Sequence, residues 1–209
     1  MTIFSVPAIR IVDTNLTMNY ARIRRMDIVK RIIIHHTASG DVSAAEVHRW
    51  HLRRGWAAIG YHYLIRRAGI IEIGRPEYLR GVHAGKIANI DSIGIAVTGN
   101  FNNDIPSIQQ MRSLTMLIMD IRRRYGDRIT IHRHSEYMTT RCPGRGFPWL
   151  ELMDRLDGLN QHTVVRGETL WSIAQTRLGD GRRWREISTI NGLTSEVIIP
   201  GQVLILPDQ

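Results

Sequence analysis

One cysteine and two histidine pairs are the residues of this 209-residue chain whose types and positions could do chemistry. Cys142 is the single cysteine, and it precedes Pro-Gly in the stretch HSEYMTTRCPG. Because a lone thiol cannot form a disulfide within its own chain, Cys142 is a buried apolar residue, a nucleophile or a metal ligand. His132 and His134 lie ten and eight residues upstream, and His35 and His36 end an apolar run much earlier in the chain.

Zinc binds imidazole nitrogen and thiolate sulfur, and catalytic zinc sites combine three protein ligands with one open position. Two histidines at strand ends together with Cys142 would supply such a set. Adjacent side chains on a strand face opposite sides, so His35 and His36 cannot both point into one site. His132 and His134 could share a face, and this geometry leaves the choice between them open. The residues therefore predict a zinc site, with one alternative ligand in each histidine pair.

Strands and helices alternate along the part of the chain that carries these residues. Short, apolar, β-branched runs predict strands, one of them a hairpin, at 31–36, 61–74, 92–100 and 128–134. Capping-box patterns and the helical spacing of apolar residues predict helices at 44–54 and about 107–125. This order predicts an α/β domain in which helices flank a central, mostly mixed β-sheet.

The composition narrows the choice of partners. A net charge of +9 favours polyanions, so nucleic acid, anionic membrane and anionic wall polymer are all candidates. The sequence contains no helix-turn-helix, zinc-finger or aromatic RNA-binding motif, so we predict no nucleic-acid partner. No apolar run approaches the roughly 20 residues of a membrane helix, so we predict no stable membrane insertion. The start of the chain lacks a basic segment followed by an apolar core, and we expect synthesis in the cytoplasm without a signal peptide.

Five sequence blocks occur in a fixed order along the chain. They are IIIHHTAS at 32–39, WHLRRGWAAIGYHYLIRRAGIIEIGR at 50–75, GVHAG at 81–85, NIDSIGIAVTGNF at 89–101 and HSEYMTTRCPG at 134–144. Together they resemble the type-2 N-acetylmuramoyl-L-alanine amidases, a family that includes amidase-type phage lysozymes and animal peptidoglycan recognition proteins. The resemblance covers about residues 28–150, and it implies a zinc amidase that cleaves the amide between N-acetylmuramic acid and L-alanine.

The resemblance also implies which residues hold the metal. It assigns one Zn²⁺ per catalytic domain, with His35, His134 and Cys142 as its ligands. His35 is favoured over His36 because it is the first histidine of the strand-end motif. His134 is favoured over His132 because it lies eight residues before the cysteine.

The remaining catalytic assignments come from the same resemblance. Tyr61 matches the tyrosine that contacts the zinc-bound water, and Thr140 stands where the family carries a lysine or a threonine. His83 matches a histidine on the wall of the substrate groove. One branch of the family has a glutamate in the strand that reads GIAVTG here, and Ala96 and Thr98 supply no carboxylate. We therefore predict that Tyr61 and Thr140 act in catalysis, with Thr140 and His83 as donors to the oxyanion.

The segment 162–207 has a pattern of its own, in which a strand, two helices and a returning strand predict a small βααβ domain. The runs RGETLWSIA, INGL and IIPGQVLILP resemble a LysM module, a family that binds N-acetylglucosamine-containing glycans in a shallow groove. Trp171 and Trp184 are interpreted as core or semi-core residues, with a sugar-stacking surface as the alternative. The predicted core consists of Val164, Leu170, Ile173, Ala174, Ile187, Val203 and Ile205.

The LysM resemblance places its glycan groove between the first turn and the loop before the last strand. The residues on the first side are Gly167, Glu168, Thr169 and Leu170. The residues opposite them are Ile198, Ile199 and Pro200.

These segments predict an extension at 1–27, a zinc amidase domain at 28–156, a linker at 157–161 and a LysM domain at 162–207. The extension could be a sheet-edge strand, a membrane-active tail or a loop over the groove. A zinc amidase joined to a glycan-binding anchor predicts a monomeric peptidoglycan hydrolase, in the role of a phage or prophage endolysin that acts on the bacterial cell wall. The alternative is a non-catalytic peptidoglycan sensor, against which the complete set of ligand residues argues.

Overall fold

The chain divides into two units in a computed structural model that describes residues 10–126, 128–157 and 161–207. Residues 10–149 form the first unit, and residues 150–207 belong to the second. Within the described residues, no helix is long and apolar enough to cross a bilayer.

Six strands of the described first unit form one mixed sheet: β1 (Ile11–Asp13), β2 (Arg31–His36), β3 (Tyr63–Ile65), β4 (Ile71–Ile73), β5 (Ser92–Val97) and β6 (Thr130–Arg133). Their order across the sheet is β1-β4-β3-β5-β2-β6. β3 and β4 pair antiparallel as the predicted hairpin, and the other neighbours pair parallel. The predicted α/β class is therefore confirmed, with a sheet that is mostly parallel.

The inner strands β2 and β5 are buried along nearly their whole length. Parallel strands covered on both faces read as continuous apolar runs, which explains why neither segment alternates with polar residues. The predicted strand at 92–100 ends at Val97, and Gly99 then turns the chain with a φ of 135°. The predicted strand at 128–134 ends at Arg133, because His134 begins a 3₁₀ turn.

Two helices of the first unit lie where the sequence predicts them, α1 (Ala44–Arg53) and α3 (Ile108–Tyr125). The short helix α2 (Gly85–Ala88) was not predicted. Ser107 and Gln110 form the predicted capping box of α3, since each side chain bonds to the other residue's backbone N–H. The Ser43 side chain caps α1 by accepting from Glu46 N, and the Glu46 side chain is not part of that cap bond.

The described part of the N-terminal extension includes a sheet-edge strand, one of its three predicted roles. β1 pairs parallel with β4, and Arg25 forms an isolated bridge with Leu79. Residues after β1 also line a cavity of about 490 Å³ with Tyr63 and Glu77, and its lining includes none of the predicted metal ligands. Residues 1–9 and most of the predicted linker lie outside the described residues.

The second unit contains the predicted βααβ order. Its elements are α4 (Trp149–Asp157), which begins at the boundary, β7 (Gln161–Thr163), α5 (Leu170–Leu178), α6 (Trp184–Ile190) and β8 (Val203–Ile205). β7 and β8 pair antiparallel. Asn191 is buried at the end of α6, where it donates to Ile187 O and Ile205 O and accepts from Ile205 N. The Asn191 side chain therefore provides hydrogen-bond partners for the backbone N–H and C=O of Ile205 in the short strand β8.

The core of the second unit corrects the predicted list at its last strand. Val203 is 41% exposed, whereas Leu204 and Leu206 are buried in the cluster with Val164 and Ile187. The apolar run VLIL has no polar alternation, so the sequence did not reveal which of its two faces points inward. The other predicted core residues are buried, including Ile205 at 7% exposure.

The two tryptophans of the second unit differ from each other. Trp184 is partly buried against the core cluster, as predicted. Trp171 is 54% exposed, so its interpretation as a core residue is wrong. Its ring lies against Gly181, where an added Cβ would collide with the indole, so the contact requires a glycine.

Candidate metal centre

Two histidines and the cysteine come together in the first unit. The ligand atoms of His35, His134 and Cys142 all lie within 4.8 Å of one another. β2 carries His35 at its carboxyl end, and the 3₁₀ turn that follows β6 carries His134. Because β2 and β6 are parallel neighbours, their carboxyl ends meet at the same edge of the sheet.

Cys142 lies 6% exposed in the loop after that turn. Its Sγ accepts a hydrogen bond from His36 N at 3.3 Å, and its carbonyl accepts from Ser135 N at 3.0 Å. Burial raises the pKa of the thiol to about 12, although the His36 N–H acts in the opposite direction. Such a thiol is a poor nucleophile at neutral pH, and a nearby cation would favour its thiolate form.

His35 is fully buried and has a different neighbour at each ring nitrogen. Its Nδ1 lies 3.9 Å from the Cys142 Sγ, and its Nε2 lies 3.0 Å from His83 Nδ1. Burial lowers the pKa of His35 well below its usual value, and the neighbouring histidines lower it further. His134 is half-buried, and burial lowers its pKa as well. Both imidazoles are therefore neutral at neutral pH, as a metal ligand must be.

The structure places His36 away from the ligand cluster. Its Nδ1 accepts a hydrogen bond from Phe101 N at 3.1 Å, and its ring lies 5.9 Å from the Phe101 ring. Alternation along β2 thus directs His36 to the face opposite His35.

Both ring nitrogens of His132 have partners outside the ligand cluster. Its Nδ1 lies 2.7 Å from Glu136 Oε2, and its Nε2 lies 2.8 Å from Thr130 Oγ1. β6 ends at Arg133, so the alternation that would put His132 and His134 on one face does not extend to His134.

Tyr61 lies beside the cluster, with its ring centroid 5.1 Å from that of His35 and 5.6 Å from that of His51. Burial raises the pKa of Tyr61, and the neighbouring Cys142 raises it further. The hydroxyl therefore keeps its proton at neutral pH, which suits a hydrogen-bond donor rather than a proton acceptor.

Thr140 is exposed, and its Oγ1 accepts a hydrogen bond from Cys142 N at 3.2 Å. This bond makes Thr140 a cap of the turn that presents the thiol. The hydroxyl proton takes no part in the bond, so it is free to donate to a substrate oxygen.

His83 lies behind His35 and not on an open groove wall. It is 8% exposed, and its ring nitrogens face His35 and Ser92. Asn89 Oδ1 accepts from the backbone N–H groups of His83 and Ala84, which fixes this loop. The groove-wall role inferred from the family therefore does not suit the position of the His83 side chain here.

Two histidines to which the sequence assigned no role support the segment before Tyr61. His48 and His51 lie on one face of α1 and accept at Nδ1 from Ile59 N and Gly60 N. Their spacing of three residues on a predicted helix was the available signal, since such residues share a face.

The predicted glycan-groove residues of the second unit lie in two turns that adjoin β7. Gly167 has a φ of 94° within the first turn, and Glu168 accepts from Val165 N and pairs with His162. Thr169 caps α5, and the Leu170 side chain is buried in the core. Leu170 can therefore offer a ligand only its backbone.

The second turn contains the remaining groove residues. Ile199 and Pro200 are exposed, and Ile198 packs partly against the core. Pro200 and Gly201 are the central residues of a turn closed by Gln202 N donating to Ile199 O, and Gly201 has a φ of 86°. Gly201 N also donates to Val164 O, which joins this turn to the end of β7.

Comparison with known families agrees with both units. The N-acetylmuramoyl-L-alanine amidase model matches residues 24–145, and the LysM domain model matches residues 162–207. The chain therefore belongs to the N-acetylmuramoyl-L-alanine amidase family and carries a LysM domain. This confirms the two resemblances that the sequence blocks indicated.

Individual relatives include phage and animal proteins. The endolysin of Escherichia phage T7 is 31% identical over 136 residues, which cover 60% of this chain and 87% of that endolysin. A peptidoglycan-recognition protein of Drosophila simulans is 34% identical over 132 residues, covering 58% of this chain and 72% of that protein. The solved N-acetylmuramoyl-L-alanine amidase LysC from Clostridium intestinale URNW has a TM-score of 0.66 at 36% identity, covering 70% of this chain and 97% of that one. The fold and class are those of endolysin-like peptidoglycan amidases.

Proposed function

We propose that the protein is a zinc-dependent hydrolase that cleaves the amide between N-acetylmuramic acid and the L-alanine of the peptidoglycan stem peptide. The observation that carries this proposal is the convergence of His35, His134 and Cys142, with Tyr61 beside them. Two neutral imidazoles and one thiol form the nitrogen and sulfur donor set that suits zinc, and together they leave one of four positions for water or substrate.

The chemistry divides between the metal and the side chains around it. Bound zinc would polarise the scissile carbonyl and lower the pKa of a water ligand towards 7. His35, His134 and Cys142 would hold the ion at the end of the sheet. Tyr61, kept protonated by burial, would orient the attacking water or donate to the tetrahedral oxygen. Thr140 would donate its free hydroxyl proton to the same developing charge.

The LysM domain would keep the catalytic unit on its insoluble substrate. The turns that contain Gly167, Glu168, Ile199 and Pro200 adjoin the same end of β7, which supports a shallow glycan groove between them. Holding the enzyme on the polymer raises the local concentration of the catalytic site. The net charge of +9 would favour approach to the anionic envelope.

The biological role that fits this combination is a phage or prophage endolysin that acts on the bacterial cell wall. All proposed ligands and catalytic groups come from one chain, which supports action as a monomer. The relatives named endolysin support the same role, and the peptidoglycan-recognition relatives leave the non-catalytic sensor as the competing function.

Mass spectrometry of digested peptidoglycan tests the bond that is cut. We expect released peptides with free L-alanine amino termini, loss of lysis with a chelator, and recovery with zinc. We expect Cys142→Ser to lower zinc affinity and lysis strongly, because a hydroxyl is a far weaker zinc ligand than a thiolate. Met111 is likewise buried but lies in α3 outside the cluster, so Met111→Leu is a matched control that should lyse normally. New reducing sugar ends would contradict the amidase, and binding without cleavage would establish the sensor.

A further inference from the structure

A line of hydrogen bonds extends from the candidate metal centre into the protein. His35 Nε2 lies 3.0 Å from His83 Nδ1, and His83 Nε2 lies 3.4 Å from Ser92 Oγ. The Ser92 hydroxyl in turn donates to Ala88 O at 2.5 Å. His35 and Ser92 are fully buried, and His83 is 8% exposed, so water does not compete strongly for these bonds.

The last acceptor fixes the direction of every bond in this line. A carbonyl can only accept, so the single hydroxyl proton of Ser92 is committed to Ala88 O. Ser92 Oγ can then only accept from His83, which places the His83 proton on Nε2. A neutral imidazole has one N–H, so His83 Nδ1 is an acceptor and His35 must donate to it from Nε2.

The remaining nitrogen of His35 is the one that faces the other ligands. With its proton on Nε2, His35 has a free lone pair on Nδ1, which lies 3.9 Å from Cys142 Sγ. We propose that His83 and Ser92 are positioning residues that hold His35 as the Nε2–H tautomer with Nδ1 presented to the metal ion. This inference rests on the zinc site proposed above, and it assigns two residues that touch neither metal nor substrate.

The surrounding backbone leaves space for this arrangement. A Cβ added to Gly94 would lie 2.5 Å from His83 Cδ2, and a Cβ on Gly81 would collide with the same ring. Asn89 Oδ1 accepts from His83 N and so fixes the backbone of the loop that carries the ring. The two glycines thus leave room for the His83 ring at hydrogen-bond distance from His35.

Zinc affinity, measured by competition with a chromogenic chelator, tests the proposal without any assay of lysis. We expect His83→Ala to weaken zinc binding by about 10- to 100-fold, the usual effect of removing a partner of a metal-ligating histidine. We expect His83→Asn to recover part of this loss, because its amide oxygen can stand near the former Nδ1 and accept from His35. Unchanged zinc affinity in His83→Ala would overturn the proposal.

The matched control is His48→Ala. His48 is buried like His83 and makes a backbone hydrogen bond at Nδ1, but it lies on α1 outside the ligand cluster. We expect this variant to lose stability while its zinc affinity stays the same. An equal loss of zinc affinity in both variants would show a merely structural effect and would also overturn the proposal.

Nitrogen-15 NMR of the histidine rings provides a second readout, for which Ser92→Ala is the milder variant. We expect one His35 tautomer with the proton on Nε2 in the wild-type protein, both with and without zinc. We expect a mixture of His35 tautomers in zinc-free Ser92→Ala, because His83 is then no longer constrained. A wild-type proton on His35 Nδ1, or a single unchanged tautomer in Ser92→Ala, would contradict the proposal. Wild-type protein that binds no zinc would instead contradict the proposed function.

Discussion

Burial controls the protonation of the side chains around the candidate metal centre. It lowers the pKa values of His35 and His134 and raises those of Cys142 and Tyr61. Every one of these shifts favours the neutral form. Under the proposed function, a bound cation would supply the charge that favours the Cys142 thiolate, and the protonated phenol of Tyr61 would donate a hydrogen bond.

Tyr61→Phe isolates the role of that phenol. We expect kcat to fall by about 10²-fold with little change in KM, since one donor to the transition state is removed. Zinc affinity should stay at the wild-type value. Tyr63→Phe is the control, because its hydroxyl bonds to Glu77 and not to the cluster. A Tyr61→Phe enzyme with normal kcat would remove Tyr61 from the mechanism.

His62 makes stability depend on pH. It is fully buried, Nδ1 accepts from Gly94 N, and Nε2 lies 2.9 Å from Leu79 O, so a second ring proton would break the first bond. Burial lowers the pKa of His62 to about 4. The hydrogen bond to Leu79 O raises this pKa and the charge of Arg75 lowers it, but burial has the largest effect. Because its folded pKa is depressed, the unfolded chain takes up the proton first as the pH falls below about 6.5.

The free energy of unfolding should therefore decrease between about pH 6.5 and pH 4, by up to about 3 kcal/mol from His62. Urea unfolding at pH 7, 5.5 and 4.5 measures this decrease. We expect His62→Gln to be less stable at pH 7 but to show a shallower pH dependence, because one titrating group is gone. An identical slope in the two proteins would exclude His62 as a contributor.

At the scale of elements, strand ends and helix caps determine where side chains point. β6 stops at Arg133, and the turn that follows aims His134 at Cys142. The long helix α3 is fixed at its start by the Ser107–Gln110 capping box, and the Ser107 hydroxyl also donates to Arg67 O. This second bond ties the cap to the loop of the β3–β4 hairpin.

Ser107→Ala removes both bonds of that hydroxyl. We expect the free energy of unfolding of the first unit to fall by about 1–2 kcal/mol, from loss of the cap and of the bond to Arg67 O. Ser107→Thr keeps a hydroxyl and should retain most of the stability. Thermal or urea unfolding measures both variants, and equal stability of Ser107→Ala and the wild type would show that the cap contributes nothing.

At the scale of the whole molecule, one chain combines an amidase-family unit with a LysM domain. The proposed division of labour is that the first unit cuts and the second holds the polymer. If the tasks are divided in this way, a substitution in the proposed LysM groove should weaken action on insoluble peptidoglycan and leave hydrolysis of a soluble substrate unchanged.

Ile199→Glu tests this division at an exposed position of the second turn. We expect binding to insoluble peptidoglycan to fall by about tenfold or more, because the increase in affinity that comes from tethering is lost with the anchor. Hydrolysis of a soluble muramyl peptide should not change. Val197→Glu is the control, because Val197 is similarly exposed but lies outside the predicted groove. Equal binding by all three proteins would place the glycan site elsewhere.

Local signals and motif blocks in the sequence were enough to identify the family and many of the elements. β-branched runs, capping boxes and turn glycines are local signals, and α1, α3 and the hairpin appear where those signals lie. The five blocks identified the amidase family because their residues and order are specific, and residue types alone made Cys142 and the histidine pairs candidates for zinc.

Which side chains become neighbours is visible only in the folded chain. Alternation along a strand could not separate His132 from His134, because the separation depends on where β6 ends. Strand alternation also could not show that His83 contacts His35, or that Val203 faces outward while Leu204 packs inward. Local sequence encodes periodicity and turns, whereas the neighbours, burial and protonation of a side chain depend on distant segments that meet it only after folding.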